Sequence, residues 1–153
     1  MKEKLNDASC IRWGIIGCGN VTEQKSGPAY QKVQGSKLMA VMRRDEAKAK
    51  DYAKRHGVPK YYTNADNLIH DVDVDAVYIA TPWEWHHPMA IAAMKQGKHV
   101  GTEVPAALTV EDIWDLVNTS ERTERQCMIM ENVCYRRDVM AVLNMVRQGL
   151  FGE

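Results

Sequence analysis

The sequence predicts an α/β chain folded as a doubly wound parallel sheet in the strand order 3-2-1-4-5-6, and three observations carry that expectation. Short apolar runs alternate with helical stretches along the 153 residues, and the connections are short. The runs at 38–42 and 76–80 are almost unbroken, as strands covered by helices on both faces require. The first run ends in two glycines one residue apart, Gly17 and Gly19, where a tight βα turn is needed. Repeats, low-complexity tracts and internal linkers are absent from the sequence, so residues 1–153 read as a single domain.

Taken in order, residues 1–9 read as a frayed or surface-lying start. Residues 11–16 form the first strand. Pro28 suits a helix N1 position, which predicts a helix over 28–33 that stops near Gly35. The second strand is 38–42. Asp45 then caps a helix with Ala47, Tyr52 and Ala53 on one side, closed by Gly57 with Pro59 beyond. A short strand at 60–62 precedes a small helix capped by Asn64 and running through Leu68 and Ile69. The fourth strand is 76–80, ended by Thr81-Pro82. A helix over 88–96 stops at Gly97, and 99–102 is the fifth strand. Thr109 with Asp112 resembles a capping box for a helix reaching about Thr123. The sixth strand is 126–130, and Asp138 starts a last amphipathic helix bearing Val139, Val142, Leu143 and Val146.

Twenty basic and twenty acidic residues balance, so no global field favours nucleic acid or an anionic membrane as partner. No apolar run approaches the ~20 residues of a spanning helix. The polar start is unlike a signal peptide. Cys10, Cys18, Cys127 and Cys134 show no C-x-x-C spacing and read as reduced thiols, which fits a cytoplasmic protein.

In such a sheet a ligand binds beyond the carboxyl ends of the strands, where strand order reverses. The loops to inspect are 17–25, 43–45, 81–87, 103–107 and 131–137. Gly17 permits the tight turn, and Gly19 lets a pyrophosphate approach backbone amides at a helix start; together they point to a dinucleotide. Thr22 stands where a third glycine is usual, so packing there is looser or the hydroxyl has a use. After the second strand, Arg43 and Arg44 occupy the place of an NAD-selecting acid and would suit a 2′-phosphate. A solvated basic pair is the plain alternative, and Asp45 is a displaced ribose acid or only a cap. Thr81 opens the next loop. Trp83 and Trp85 would flank the nicotinamide ribose, with Glu84 and His86 bonding its hydroxyls, although one indole also suits a packing role. His86-His87 is not spaced for a metal, so none is expected.

The order Gly17-Cys18-Gly19-Asn20, then residues 78–82, then Gly97-Lys98-His99-Val100, then Glu103-Val104-Pro105 resembles the N-terminal domain of the glucose–fructose oxidoreductase, inositol dehydrogenase and rhizopine catabolism (Gfo/Idh/MocA) family. That resemblance implies an NAD(P)-binding Rossmann fold, NAD or NADP as cofactor, and a sugar site completed by a C-terminal substrate domain absent from residues 1–153. The family's Glu-Lys-Pro motif reads Glu103-Val104-Pro105 here, and Val104 supplies neither charge nor proton. Residues from Trp83 onward, with Met130-Glu131-Asn132-Val133-Cys134-Tyr135, are similar to the NAD-dependent α-N-acetylgalactosaminidases. In that branch NAD⁺ transiently oxidises the sugar at C3, the C2 proton leaves, the glycoside is eliminated, and hydration and re-reduction follow. The resemblance carries cofactor contact to Asn20, Val21, Trp83, Glu84, Trp85, His86, Glu103, Val104 and Asn132. Residues 12–82 look more like ordinary dehydrogenases, so the chain reads as a mosaic, natural or recombined. The branch's catalytic histidine and tyrosines fall beyond residue 153. The expectation is therefore a dinucleotide-binding module without complete catalysis of its own. Its sugar substrate depends on a second domain, and its bare flank is open to homo-oligomerisation. The alternatives are a portion of an NAD-dependent glycosidase and a cofactor-free scaffold.

Overall fold

The computed structural model describes residues 10–152, so the expected frayed start at 1–9 lies outside the described residues. Six parallel strands form one sheet: β1 (Ile11–Ile16), β2 (Ser36–Met42), β3 (Lys60–Tyr62), β4 (Ala76–Ile79), β5 (His99–Thr102) and β6 (Cys127–Ile129). Their spatial order is β3-β2-β1-β4-β5-β6, the order expected from the sequence. The helices are α1 (Gly27–Lys32), α2 (Glu46–His56), α3 (Ala65–Ile69), α4 (His86–Lys95), α5 (Val110–Thr123) and α6 (Arg137–Arg147).

Alternation along the strands sorts the core into two layers. Ile16, Val77 and Ile79 pack with Leu68, Ile69, Ala90 and Met94 of α3 and α4. Their neighbours Ile15 and Tyr78 pack on the opposite face, with Tyr52 and Ala53 of α2. The caps are those read from the sequence: Asp45 Oδ1 accepts from Lys48 N, Asn64 Oδ1 from Asp66 N, and Thr109 Oγ1 from Asp112 N. Gly57 closes α2 in the left-handed region at φ 63°.

The departures are local. A π-helical turn, Thr22–Ser26, leads into α1. The helix expected from Pro88 begins two residues earlier, at His86, behind a 3₁₀ turn over Trp83–Trp85. Pro88 fits inside the first turn of α4 because the opening N–H groups of a helix have no partner within it. Helix α6 leaves Val142 and Val146 about half exposed, the bare flank anticipated from the sequence.

A charge cluster joins the helical segment after β1 to α2. Glu23 takes Arg55 Nη1 at 2.9 Å and His56 Nε2 at 2.8 Å. Chiefly through the Arg55 bond, its carboxyl is lowered to about 2. A depressed folded-state pKa stabilises the fold above the unfolded value, and that contribution is lost as pH falls from about 4.5 towards 2. Unfolding midpoints measured across that window are expected to fall less steeply for Glu23→Gln than for the parent chain; parallel slopes would refute this.

Candidate dinucleotide site

The turn after β1 is built from backbone. Gly17 sits at φ +97°, and a Cβ there would lie 2.5 Å from Ala80 O, so the backbones following β1 and β4 touch at this point. Gly17 N–H donates to Met42 O at 3.0 Å, which ties the turn to the end of β2 as well. This is where strand order reverses. Around Gly19 the situation is opposite: a Cβ would meet no atom within 4 Å. The helical segment then starts at Asn20, and its first ladder bond runs from Glu23 N–H to Gly19 O at 3.1 Å. The N–H groups of Asn20, Val21 and Thr22 thus precede the ladder, at the positive end of the dipole and beside open space.

Thr22 resolves the alternatives left by the missing third glycine in favour of a hydroxyl with a use. It is fully buried, its Oγ1 donates to Gly19 O at 2.8 Å, and its own carbonyl accepts Tyr52 OH at 2.9 Å. The side chain stiffens the turn from below. Cys18, between the glycines, is no nucleophile: burial pushes its thiol up to about 12.

A cleft of about 750 Å³ opens from this turn towards α3 and α4. Of the residues singled out in the sequence, Gly17, Gly19, Arg43, Arg44, Thr81 and Trp85 line it. Arg43 reaches across the turn, Nη1 donating to Cys18 O at 2.8 Å, while Arg44 is exposed. Asp45 also borders the cleft, but its carboxylate caps α2 and pairs with Lys48 Nζ at 3.4 Å, and the Lys48 N–H lowers its pKa. Thr81 Oγ1 is buried without a partner among the described residues, a polar atom that a ligand in the cleft would satisfy.

Other singled-out residues stand apart from that cleft. Trp83 is 62% and Trp85 49% exposed, so neither indole has the packing role expected of one of them. Glu84 lies on the same exposed 3₁₀ turn, and Asn132 on another, beyond β6. Asn20 and Val21 are exposed at the helix start, and Val104 is exposed after β5. Glu103 accepts a hydrogen bond from Tyr78 OH on the face opposite the cleft. His86 has a different task from the expected contact with ribose hydroxyls. It is 1% exposed, with Nδ1 2.7 Å from Pro105 O and Nε2 2.8 Å from Thr81 O. Both nitrogens are engaged in clamping the loops that follow β4 and β5.

The cleft also holds residues the sequence reading passed over: Thr63, Asn64 and Ala65 after β3, with Met89 and Ala92 of α4 on its apolar side. The signal was available, since the loop after β3 also leaves a carboxyl strand end. Its cap chemistry drew attention to helix initiation instead.

Comparison with known proteins agrees with this geometry. The family described as an oxidoreductase family with an NAD-binding Rossmann fold matches residues 11–131. A glycosyl hydrolase family 109 protein 2 of Shewanella sp. (strain ANA-3) is 47% identical over 94% of this chain and 33% of its own length. An alpha-N-acetylgalactosaminidase of Tannerella forsythia is 46% identical over 94% of this chain and 32% of its own. Both halves of the chain fall within these alignments, and the chain spans about a third of the length of the curated relatives it matches. Among solved structures, scyllo-inositol dehydrogenase from Lactobacillus casei, with bound NAD(H) and scyllo-inositol, superposes with a TM-score of 0.86 at 25% identity, covering 94% of this chain and 43% of that one. A 3-ketoreductase from Actinomadura kijaniata, in complex with NADP and TDP-benzene, gives 0.85 at 26%, covering 92% and 43%. With the glycine turn at the strand-order switch and a family match over most of its length, the chain belongs to the Gfo/Idh/MocA oxidoreductase family and is an NAD(P)-binding Rossmann domain of it.

Proposed function

We propose that the chain binds NAD or NADP across the Gly17–Gly19 turn, adenosine end in the cleft, and offers the nicotinamide end to sugar-handling residues located elsewhere. One observation carries this reading: open space at Gly19 beside amide groups that precede the helix ladder. Those amides bind the diphosphate, Arg43 and Arg44 take the adenosine-side ribose or its phosphate, and the Thr81 hydroxyl supplies a donor in the cleft. The bound dinucleotide supplies a hydride acceptor. Val104, where a lysine is usual in the family, moves no proton, so acid–base steps belong to other residues. Titration with NAD⁺ and NADP⁺, followed by calorimetry and thermal shift, should give saturable binding and stabilisation. A flat response at millimolar nucleotide would leave only a scaffold.

A second reading is favoured by the names of the relatives. The chain would be the cofactor-holding portion of an NAD-dependent α-N-acetylgalactosaminidase. Nitrophenyl α-N-acetylgalactosaminide with NAD⁺ and this chain alone should release no phenol; turnover would show that catalysis is complete here.

For cofactor choice, Arg43→Asp is expected to weaken NADP⁺ more than NAD⁺. Arg43 also holds the Cys18 carbonyl, so NAD⁺ suffers a smaller loss of its own. Equal losses would refute the 2′-phosphate role. The half-exposed apolar face of α6 supports self-association, which light scattering showing only monomer would contradict.

A further inference from the structure

On the sheet face opposite the cleft, three aromatic rings form a row. Trp13 and Tyr30 lie 4.7 Å apart between ring centroids, and Tyr30 and Tyr78 lie 5.5 Å apart. The row passes over β1 and β4 and ends at Glu103, the first residue after β5, whose Oε1 accepts the Tyr78 hydroxyl. Glu103 is fixed through its backbone too, its N–H donating to Ile79 O at 3.0 Å. Two polar valences at this spot remain unspent among the described residues. The Tyr30 hydroxyl is buried with no partner, and Glu103 Oε2 receives no donor from the protein. They are electrostatic neighbours, since the Glu103 charge helps raise the Tyr30 phenol above its ordinary range, after burial itself. A buried donor left open is costly and uncommon in a folded chain. An acceptor brought by a ligand would close it.

The location says which part of the ligand. A dinucleotide lying over Gly19 with its adenosine end towards α3 and α4 extends its other end to the opposite side of the switch point, where Tyr78 and Glu103 lie. Resting on the cofactor reading above, we propose that Tyr78 is a positioning residue: it holds Glu103 so that this carboxylate and the Tyr30 hydroxyl together read the nicotinamide-nucleoside end of the dinucleotide. The required chemistry is a donor beside an acceptor, which both the ribose diol and the nicotinamide carboxamide provide.

The test compares NAD⁺, ADP-ribose and ADP by calorimetry on the full chain and on Tyr78→Phe, Tyr30→Phe and Glu103→Gln. Each phenylalanine variant removes one hydroxyl and keeps the ring. NAD⁺ affinity is expected to fall about tenfold in each variant, the order of one hydrogen bond to a charged or buried partner, while ADP affinity stays at the parent value. A loss shared by ADP-ribose assigns the diol, and a loss confined to NAD⁺ assigns the carboxamide; either supports the proposal. Tyr30→Phe should also melt no lower than the parent without nucleotide, because it deletes an unsatisfied group. Equal losses for ADP and NAD⁺ would make the pair merely structural and overturn the inference, as would unchanged NAD⁺ affinity. A parent chain that binds ADP but gains nothing from the second nucleoside also overturns it, with the cofactor site intact. A parent that binds neither nucleotide removes both readings.

Discussion

Replacing Gly17 with alanine should cost the fold about 3 kcal/mol and abolish nucleotide binding, whereas the same change at Gly19 should leave stability almost untouched. At Gly17 the backbone is left-handed at φ +97°, which a Cβ-bearing residue adopts at a cost of about 1–2 kcal/mol. The added methyl would also lie 2.5 Å from Ala80 O and 2.7 Å from Ala80 C, both rigid backbone at the end of a central strand. Relief requires β1 and β4 to separate at the switch point. At Gly19 nothing lies within 4 Å and φ is negative, so alanine fits the empty protein within about 0.5 kcal/mol. The methyl then stands where a diphosphate must approach, and dinucleotide affinity should fall by at least roughly tenfold. Urea unfolding and NAD⁺ titration of the two variants check this directly. Gly17→Ala melting like the parent, or Gly19→Ala binding like it, would contradict the roles assigned to the two glycines.

Replacing His86 with leucine should destabilise the chain by about 2–4 kcal/mol, although an exposed ligand contact at this position would cost almost nothing. The imidazole is 1% exposed, and its nitrogens meet Thr81 O and Pro105 O at 2.8 and 2.7 Å. A leucine of similar bulk leaves both carbonyls short of a partner where water enters poorly. It also frees the loop carrying Thr81 from the loop carrying Pro105. The denaturant midpoint is the measurement. A shift equivalent to less than about 0.5 kcal/mol, with reduced NAD⁺ affinity, would restore the expected role as a donor to ribose.

The strand order was legible because apolar runs of strand length punctuated by glycine, proline and capping residues specify both the alternation and the parallel connections. The caps at Asp45, Asn64 and Thr109 were legible for the same reason: each is a contact between a side chain and an amide two or three residues on. The fate of Thr22 was not, because its hydroxyl serves Gly19 and its carbonyl serves Tyr52, thirty residues away. The start of α4 was missed by two residues, since proline is as acceptable inside the first turn as at its head.

The sequence by itself determined what short-range physics encodes: six strands, their alternation with helices, the glycine turn and the residue types at each carboxyl strand end. Tertiary structure alone decided which of those residues share a space. It drew Arg43, Thr81 and Trp85 to one cleft with Thr63 and Met89, spent both nitrogens of His86 on backbone, and placed Glu103 with Tyr78 on the other face. Partners of this kind lie tens of residues apart, and which side chain reaches which depends on sheet register and helix packing rather than on local spacing.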